Sequence, residues 1–316
     1  MAIRRICEVG AFGASISLAV ATHCAQGLAP AASIATPSEA TPDAASQMSA
    51  DPAASLLDTG FRYLYELNFQ GARETIATYQ KQWPEDPLGK VAEAASYLFE
   101  QFNDKGVLTS EFFLNDSRFL GGIEGSPPEN SNAAFLGANR RARELAKMSL
   151  KLDPRNVNGL LVLTLADGME SDYDAIIERK YIAAIRLMRQ AEHEAEVTLA
   201  ADPSAKDVYV ALGMSNYVIA SLPVFKRAFL WMGGVRGDRA RGMNQLHEAA
   251  DHGRYLRPLA KVILALAYER EHQPDHARQL LAELVAEFPS NPLFSHELAL
   301  LDQRTFRPRG ELLPVG

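Results

Sequence analysis

Cysteine is nearly absent: the 316 residues hold two, Cys7 and Cys24. Both fall in a stretch that reads as a targeting leader, so a disulfide framework is excluded for the rest of the chain. A basic surplus is missing too. Lys and Arg number 32 against 39 Asp and Glu, a formal net charge of −7. With no spare positive charge to neutralise phosphates, nucleic acid is excluded as the main ligand. Long β-branched runs are lacking while Leu and Ala dominate, which excludes a mainly sheet class and favours helices. Beyond the leader, no apolar run approaches the roughly 20 residues of a membrane span without a charge or a breaker. The sequence has no HExxH, no nucleophile elbow, no phosphate-cradling glycine loop and no CxxC. No cofactor and no catalytic residue is therefore expected, and the chain reads as a non-enzyme.

What is present begins with that leader. Arg4 and Arg5 form a short positive region, and residues 11–21 form an apolar core too short to span a bilayer. Ala25-Gln26-Gly27 offers small residues at a cleavage site. Residues 1–27 are thus read as a signal peptide, and the protein as exported, periplasmic or envelope-associated. Cys24 is a lipidation candidate, but Ala21-Thr22-His23 before it fits a lipobox poorly. Residues 28–52, rich in Ala, Pro, Ser and Thr, bury too little apolar surface to order themselves and read as a linker. Residues 53–303 are the folded region and 304–316 a tail.

The folded region repeats. Pro84, Pro154, Pro203 and Pro289 each end an Ala-rich helical pattern. Ala72, Ala142, Ala191 and Ala277 stand at one common distance before them, and Ile76, Ala146, Ala195 and Leu281 follow those alanines at helical spacing. At one common distance after the prolines stand the small residues Ala94, Thr164, Gly213 and Ala299. Small residues on both members of a helix pair let the backbones approach, and proline stops the second helix. A lone pair leaves an apolar face uncovered, so pairs must stack.

Gly60, Tyr63, Ala72, Ile76 and Pro84 in the first unit, and Leu264, Ala265, Tyr268, Ala277, Leu281 and Pro289 in the last, resemble the tetratricopeptide repeat (TPR) family at its own spacings. The last pair, with Ala286-Glu287-Phe288-Pro289-Ser290-Asn291-Pro292, is also similar to bacterial relatives of the Iml2 and tetratricopeptide-39 group. The resemblance implies an all-α fold: a right-handed α-solenoid of about five TPR-like helix pairs with a C-terminal capping helix from Pro292. It implies a protein or peptide partner held on the concave face or on the inserted turns. The middle units are expanded, and breaker signals place insertions at Gly121-Gly122 with Pro127-Pro128, at residues 167–174, and at Pro223 with Gly233-Gly234.

By register, the first helices of the units line the concave face. Candidate partner contacts are Phe61 and Leu64, Met214 and Tyr217, and Leu266, Glu269 and Arg270. The apolar members read first as packing between units, and as contacts second. Residues 217–241 form the most unusual segment, apolar and aromatic with basic edges. Phe225, Lys226, Phe229 and Trp231 there are candidates for a membrane surface, the other reading being an insertion packed over its neighbours. His272 and His276 have metal-ligand spacing, but Pro274 between them reads as a turn. The acidic run Met169 to Asp174 lacks a calcium loop's glycine and reads as a solvated turn.

Overall fold

The computed structural model describes residues 52–306, with the exception of residues 124, 126, 223, 225, 226, 228–230 and 232–235. The leader, the linker before Pro52, residues 307–316 and the candidates Phe225, Lys226 and Phe229 lie outside the described residues. Among the described residues there is no strand. The helices are α1 (Pro52–Tyr65), α2 (Phe69–Gln82), α3 (Pro87–Asp104), α4 (Ser110–Leu114), α5 (Asp116–Gly121), α6 (Glu129–Leu152) and α7 (Val157–Ile176). They continue with α8 (Tyr181–Ala201), α9 (Tyr209–Ser221), α10 (Arg239–His252), α11 (Arg257–Arg270), α12 (Pro274–Glu287) and α13 (Pro292–Phe306).

They pack as five consecutive pairs, α1/α2, α3/α6, α7/α8, α9/α10 and α11/α12, followed by α13 on α12. The first helices also pack on one another in order, α1 on α3, α3 on α7, α7 on α9 and α9 on α11, and so form an inner layer. The repeat positions explain the pairing. Ala72, Ala142 and Ala277 have no exposed surface, and Ala191, Ile76, Ala146, Ala195 and Leu281 are buried with them. Opposite stand Ala94, Thr164 and Gly213, also buried. Gly213 shows why size matters: a Cβ there would lie 2.8 Å from Leu246 Cγ and 2.9 Å from the Gly242 carbonyl oxygen. Ala299 is exposed, because α13 is the last of the described helices and among the described residues none packs on its outer side.

Local chemistry sets the helix ends. Asn68, Asp86, Asn156 and Asp238 cap α2, α3, α7 and α10, each side chain accepting from a backbone N–H of the first turn. Pro87 and Pro274 occupy first-turn positions that need no N–H. The first helices of three units end on a left-handed residue: Leu67 (φ 59°), Gly106 (φ 67°) and His272 (φ 58°). In each the next N–H reaches back to close the helix, Asn68 to Tyr63, Val107 to Phe102 and Gln273 to Tyr268. His272 is therefore a helix-ending residue, and His276 of α12 stacks on Tyr268 of α11 at 4.9 Å.

One expected insertion is not there. The helix α7 runs unbroken through residues 167–174, and its turn to α8 comes only at residues 177–180. Unit three is longer because both helices are longer, 20 and 21 residues. The acidic run is consequently no solvated turn. Asp167 and Glu170 face α6, where Arg143 pairs with both and Asn139 donates to Glu170. An acidic run reads as loop chemistry within its own segment, whereas an arginine one helix away makes it a buried interface. The expansion of unit two is real and carries α4 and α5. It is tied down at Gly122 (φ 69°), beside which Ile123 N–H donates to the Ile176 carbonyl.

The two ends of the array meet. Arg254 forms a two-pronged pair with Asp58 at 3.0 Å, and Phe61 stacks on Tyr255 at 4.7 Å between ring centres. The Tyr65 hydroxyl donates to the Tyr255 carbonyl, and Asn291 Nδ2 donates to the Tyr65 carbonyl at 2.7 Å. On the other side, α4 bridges from unit two to the C-terminal helices. The Ser110 N–H donates to Glu297, Arg304 donates to Ser110 Oγ, and Arg270 donates to the Phe113 carbonyl.

Candidate functional site

Closure turns the concave face into a chamber of about 210 Å³. Every first helix contributes wall. From α1 come Leu64 and Tyr65; from α3, Leu98, Phe99 and Phe102; from α7, Met169, Asp172 and Ile176. The α9 wall is Met214, Tyr217, Val218 and Ser221, and the α11 wall includes Leu259, Val262, Ile263, Leu266 and Arg270. Phe113 and Leu114 of α4, with Asn291, Leu293 and Phe294 at the start of α13, complete it. None of the second helices α2, α6, α8, α10 and α12 takes part.

The wall is apolar apart from a few groups, most of which the protein itself satisfies. Tyr217 donates to Glu271 at 3.1 Å and to the Ala267 carbonyl at 3.3 Å. Burial, with the Glu271 charge, pushes its phenol up to about 12, so it stays a neutral donor. Asn291 is used on both sides, donating to Tyr65 and accepting from Leu293 N–H. Arg270 donates to Phe113. Asp172 differs. It lines the chamber with part of its surface still accessible, and among the described residues no hydrogen bond to its side chain is found. Burial alone pushes its carboxyl up to about 7.

A second polar cluster lies behind this wall, between α6, α7 and α8. Arg143 Nε donates to Asp167 at 2.6 Å. Burial pushes the Asp167 carboxyl up against the opposing pull of Arg143. Burial and the Asp167 charge push the Glu194 carboxyl up as well. The arrangement is a helix-to-helix fastening and does not open into the chamber.

Of the residues singled out by register, the structure brings Leu64, Met214, Tyr217, Leu266 and Arg270 together on the chamber wall. Phe61 lies outside it, 5% exposed, in the stack that closes the array. Glu269 pairs with Arg304 of α13, also outside it. Trp231 is 58% exposed, with the Arg236 guanidinium 5.4 Å over its ring. Sequence reasoning missed Asp172 and the α4 residues. Asp172 carried a signal: with Met169 and Ile176 it falls on one helical stripe, a lone carboxylate among apolar neighbours. The α4 pair carried none, being part of five helical residues inside an insertion.

Among the described residues, no group of three or more His, Cys, Asp and Glu side chains is placed to hold a metal ion. None of their helices is long and apolar enough to cross a membrane. No family model matches the chain, and no curated protein matches it. Among solved structures, it is similar to a thermophilic TPR protein of Thermus thermophilus, with 17% identity and a TM-score of 0.44. The match covers 79% of this chain and 98% of that one.

Proposed function

We propose that this chain is a non-catalytic binding protein of the cell envelope, whose closed concave face receives the apolar part of a partner molecule. The observation that carries the reading is the chamber itself. Its lining is almost wholly apolar, so a guest that covers it removes that surface from water. Apolar pockets with a few placed polar groups are the common form of a ligand site. Turnover has less support. Among the described residues no second titratable group is found acting on the Asp172 carboxyl to share proton transfer. The envelope location rests on the leader in the sequence.

The test is binding of a neutral apolar fluorophore such as N-phenyl-1-naphthylamine to the full chain, compared with Leu266→Trp, which puts an indole into the chamber. Fluorescence should rise on binding to the wild type and lose at least tenfold in affinity in the variant. Equal binding by the two would place the probe elsewhere and remove the reading.

A second reading, peripheral contact with a membrane surface, is favoured by one observation: Val224 and Trp231 are 71% and 58% exposed. It would use Phe225, Lys226, Phe229 and Trp231. Co-sedimentation with anionic vesicles should fall when Phe229 and Trp231 are replaced by Asp, and unchanged co-sedimentation would discard it.

A further inference from the structure

Asp172 is the one charged wall group for which no partner is found among the described residues, the neutral Ser221 hydroxyl being also without a hydrogen bond. The other acidic residues of α7 are accounted for. Asp167 and Glu170 are paired with Arg143 on the face toward α6, and Asp174 lies near Lys180 at the turn. Asp172 alone shares the stripe of Met169 and Ile176 that faces the chamber. A polar group enclosed by protein is ordinarily hydrogen-bonded, because leaving it bare costs its full desolvation. A carboxylate can only accept, so what it lacks is a donor, best a cationic one. The chamber's other charged group does not meet that need. Arg270 is held by the Phe113 carbonyl at the α4–α11 seam, and among the described residues no charge is found to act on Asp172.

We infer that the chamber selects an amphiphile with an aliphatic tail and a protonated amine, the ammonium pairing with the Asp172 carboxylate. The inference rests on the reading of the chamber as a binding site and goes one step further, to the head group. The surrounding leucine, methionine and phenylalanine side chains strip water from the pair, which raises its worth once formed. An uncharged alcohol of the same length fills the same volume and offers Asp172 one neutral hydrogen bond, without the opposite charge.

The experiment is calorimetric titration of the full chain at pH 8 with decylammonium chloride, decanol and decanoate, each below its micelle concentration. The wild type, Asp172→Asn and Leu266→Trp are compared. The wild type should bind decylammonium about 10- to 100-fold more tightly than decanol. Asp172→Asn should erase that preference and leave decanol affinity unchanged, and Leu266→Trp should lose both ligands. Equal affinity for decanol and decylammonium would overturn the amine inference while leaving the chamber as a binding site. Tighter binding of decanoate would overturn it in favour of a head group at Arg270. Undiminished decylammonium binding by Leu266→Trp would mean surface adsorption to an acidic protein, and would overturn it as well. Binding of none of the three would overturn both this inference and the reading beneath it.

Discussion

Replacing Asp172 by Asn should make the ligand-free protein more stable, and by an amount that depends on pH. In the folded chain the carboxyl titrates at about 7, against an ordinary 3.8. Unfolding returns it to water, so between those two values the unfolded state sheds a proton that the folded state keeps. Stability contributed by the neutral acid is fully present below pH 3.8 and is lost as pH rises through 7. Roughly three units at about 1.36 kcal/mol each give a loss of about 4 kcal/mol by pH 8. Asparagine has nearly the same shape and no proton to lose. The two proteins should therefore unfold alike at about pH 3.5, differ by about 1.5 kcal/mol at about pH 5, and differ by about 4 kcal/mol at about pH 8. For a domain of this size that is about 10 °C in Tm. Urea unfolding of both proteins across this range is the assay, since every other titrating group contributes equally to the two curves. A difference that stays flat with pH, or an Asn variant weaker at pH 8, would show that Asp172 meets water or a partner, and would refute the reasoning.

Other substitutions test the packing. Arg143→Ala strands two carboxylates between α6 and α7 and should cost about 3–5 kcal/mol at pH 7, read from urea midpoints. Gly213→Ala should cost about 1–3 kcal/mol, because its Cβ would meet backbone atoms of α10. Gly168→Ala is its control: a Cβ there meets nothing within 4 Å, and removing a mid-helix glycine from α7 should gain about 0.5–1 kcal/mol. His272→Gly relieves a left-handed residue at φ 58° on the exposed end of α11 and should gain about 1 kcal/mol in thermal unfolding.

The repeat was legible because packing between neighbouring helices leaves a local record. A small residue is needed where backbones touch, as at Ala72 and Gly213, and proline is needed where a helix must stop. Both requirements recur at fixed spacing. The same logic failed at residues 167–174. Asp167, Glu170, Asp172 and Asp174 so close together look like a loop when the partner of the first two, Arg143, belongs to another helix. Asp172 was hidden for a related reason. Its stripe on α7 could be counted, but which first-helix stripes face a chamber depends on curvature, and no spacing within one helix encodes that. Leu64, Met214, Tyr217, Leu266 and Arg270 reached the chamber wall because register fixes which side of a first helix looks inward. Phe61 did not, because α1 sits where the array closes and its neighbour there is Tyr255.

That closure makes the chain different in kind from an open array, in which each unit contacts only its neighbours and stability adds along one dimension. Here Asp58, Phe61, Arg62 and Tyr65 of α1 touch Arg254, Tyr255, Glu287 and Asn291. Residues nearly the whole fold apart in sequence thus share one interface, and the ends should unfold together. Phe61→Ala removes a ring that is 5% exposed and stacked on Tyr255, a loss of about 3–5 kcal/mol. In an open solenoid, amide exchange would quicken in α1 to α3 and fade beyond them. In a closed one it should quicken equally in α11 to α13, while α7 and α8, opposite the seam, keep their protection. Exchange confined to α1, α2 and α3 would mean that the seam contributes no coupling. The chamber would then owe its walls to the curvature of the stack alone, with the contacts across the seam as passengers.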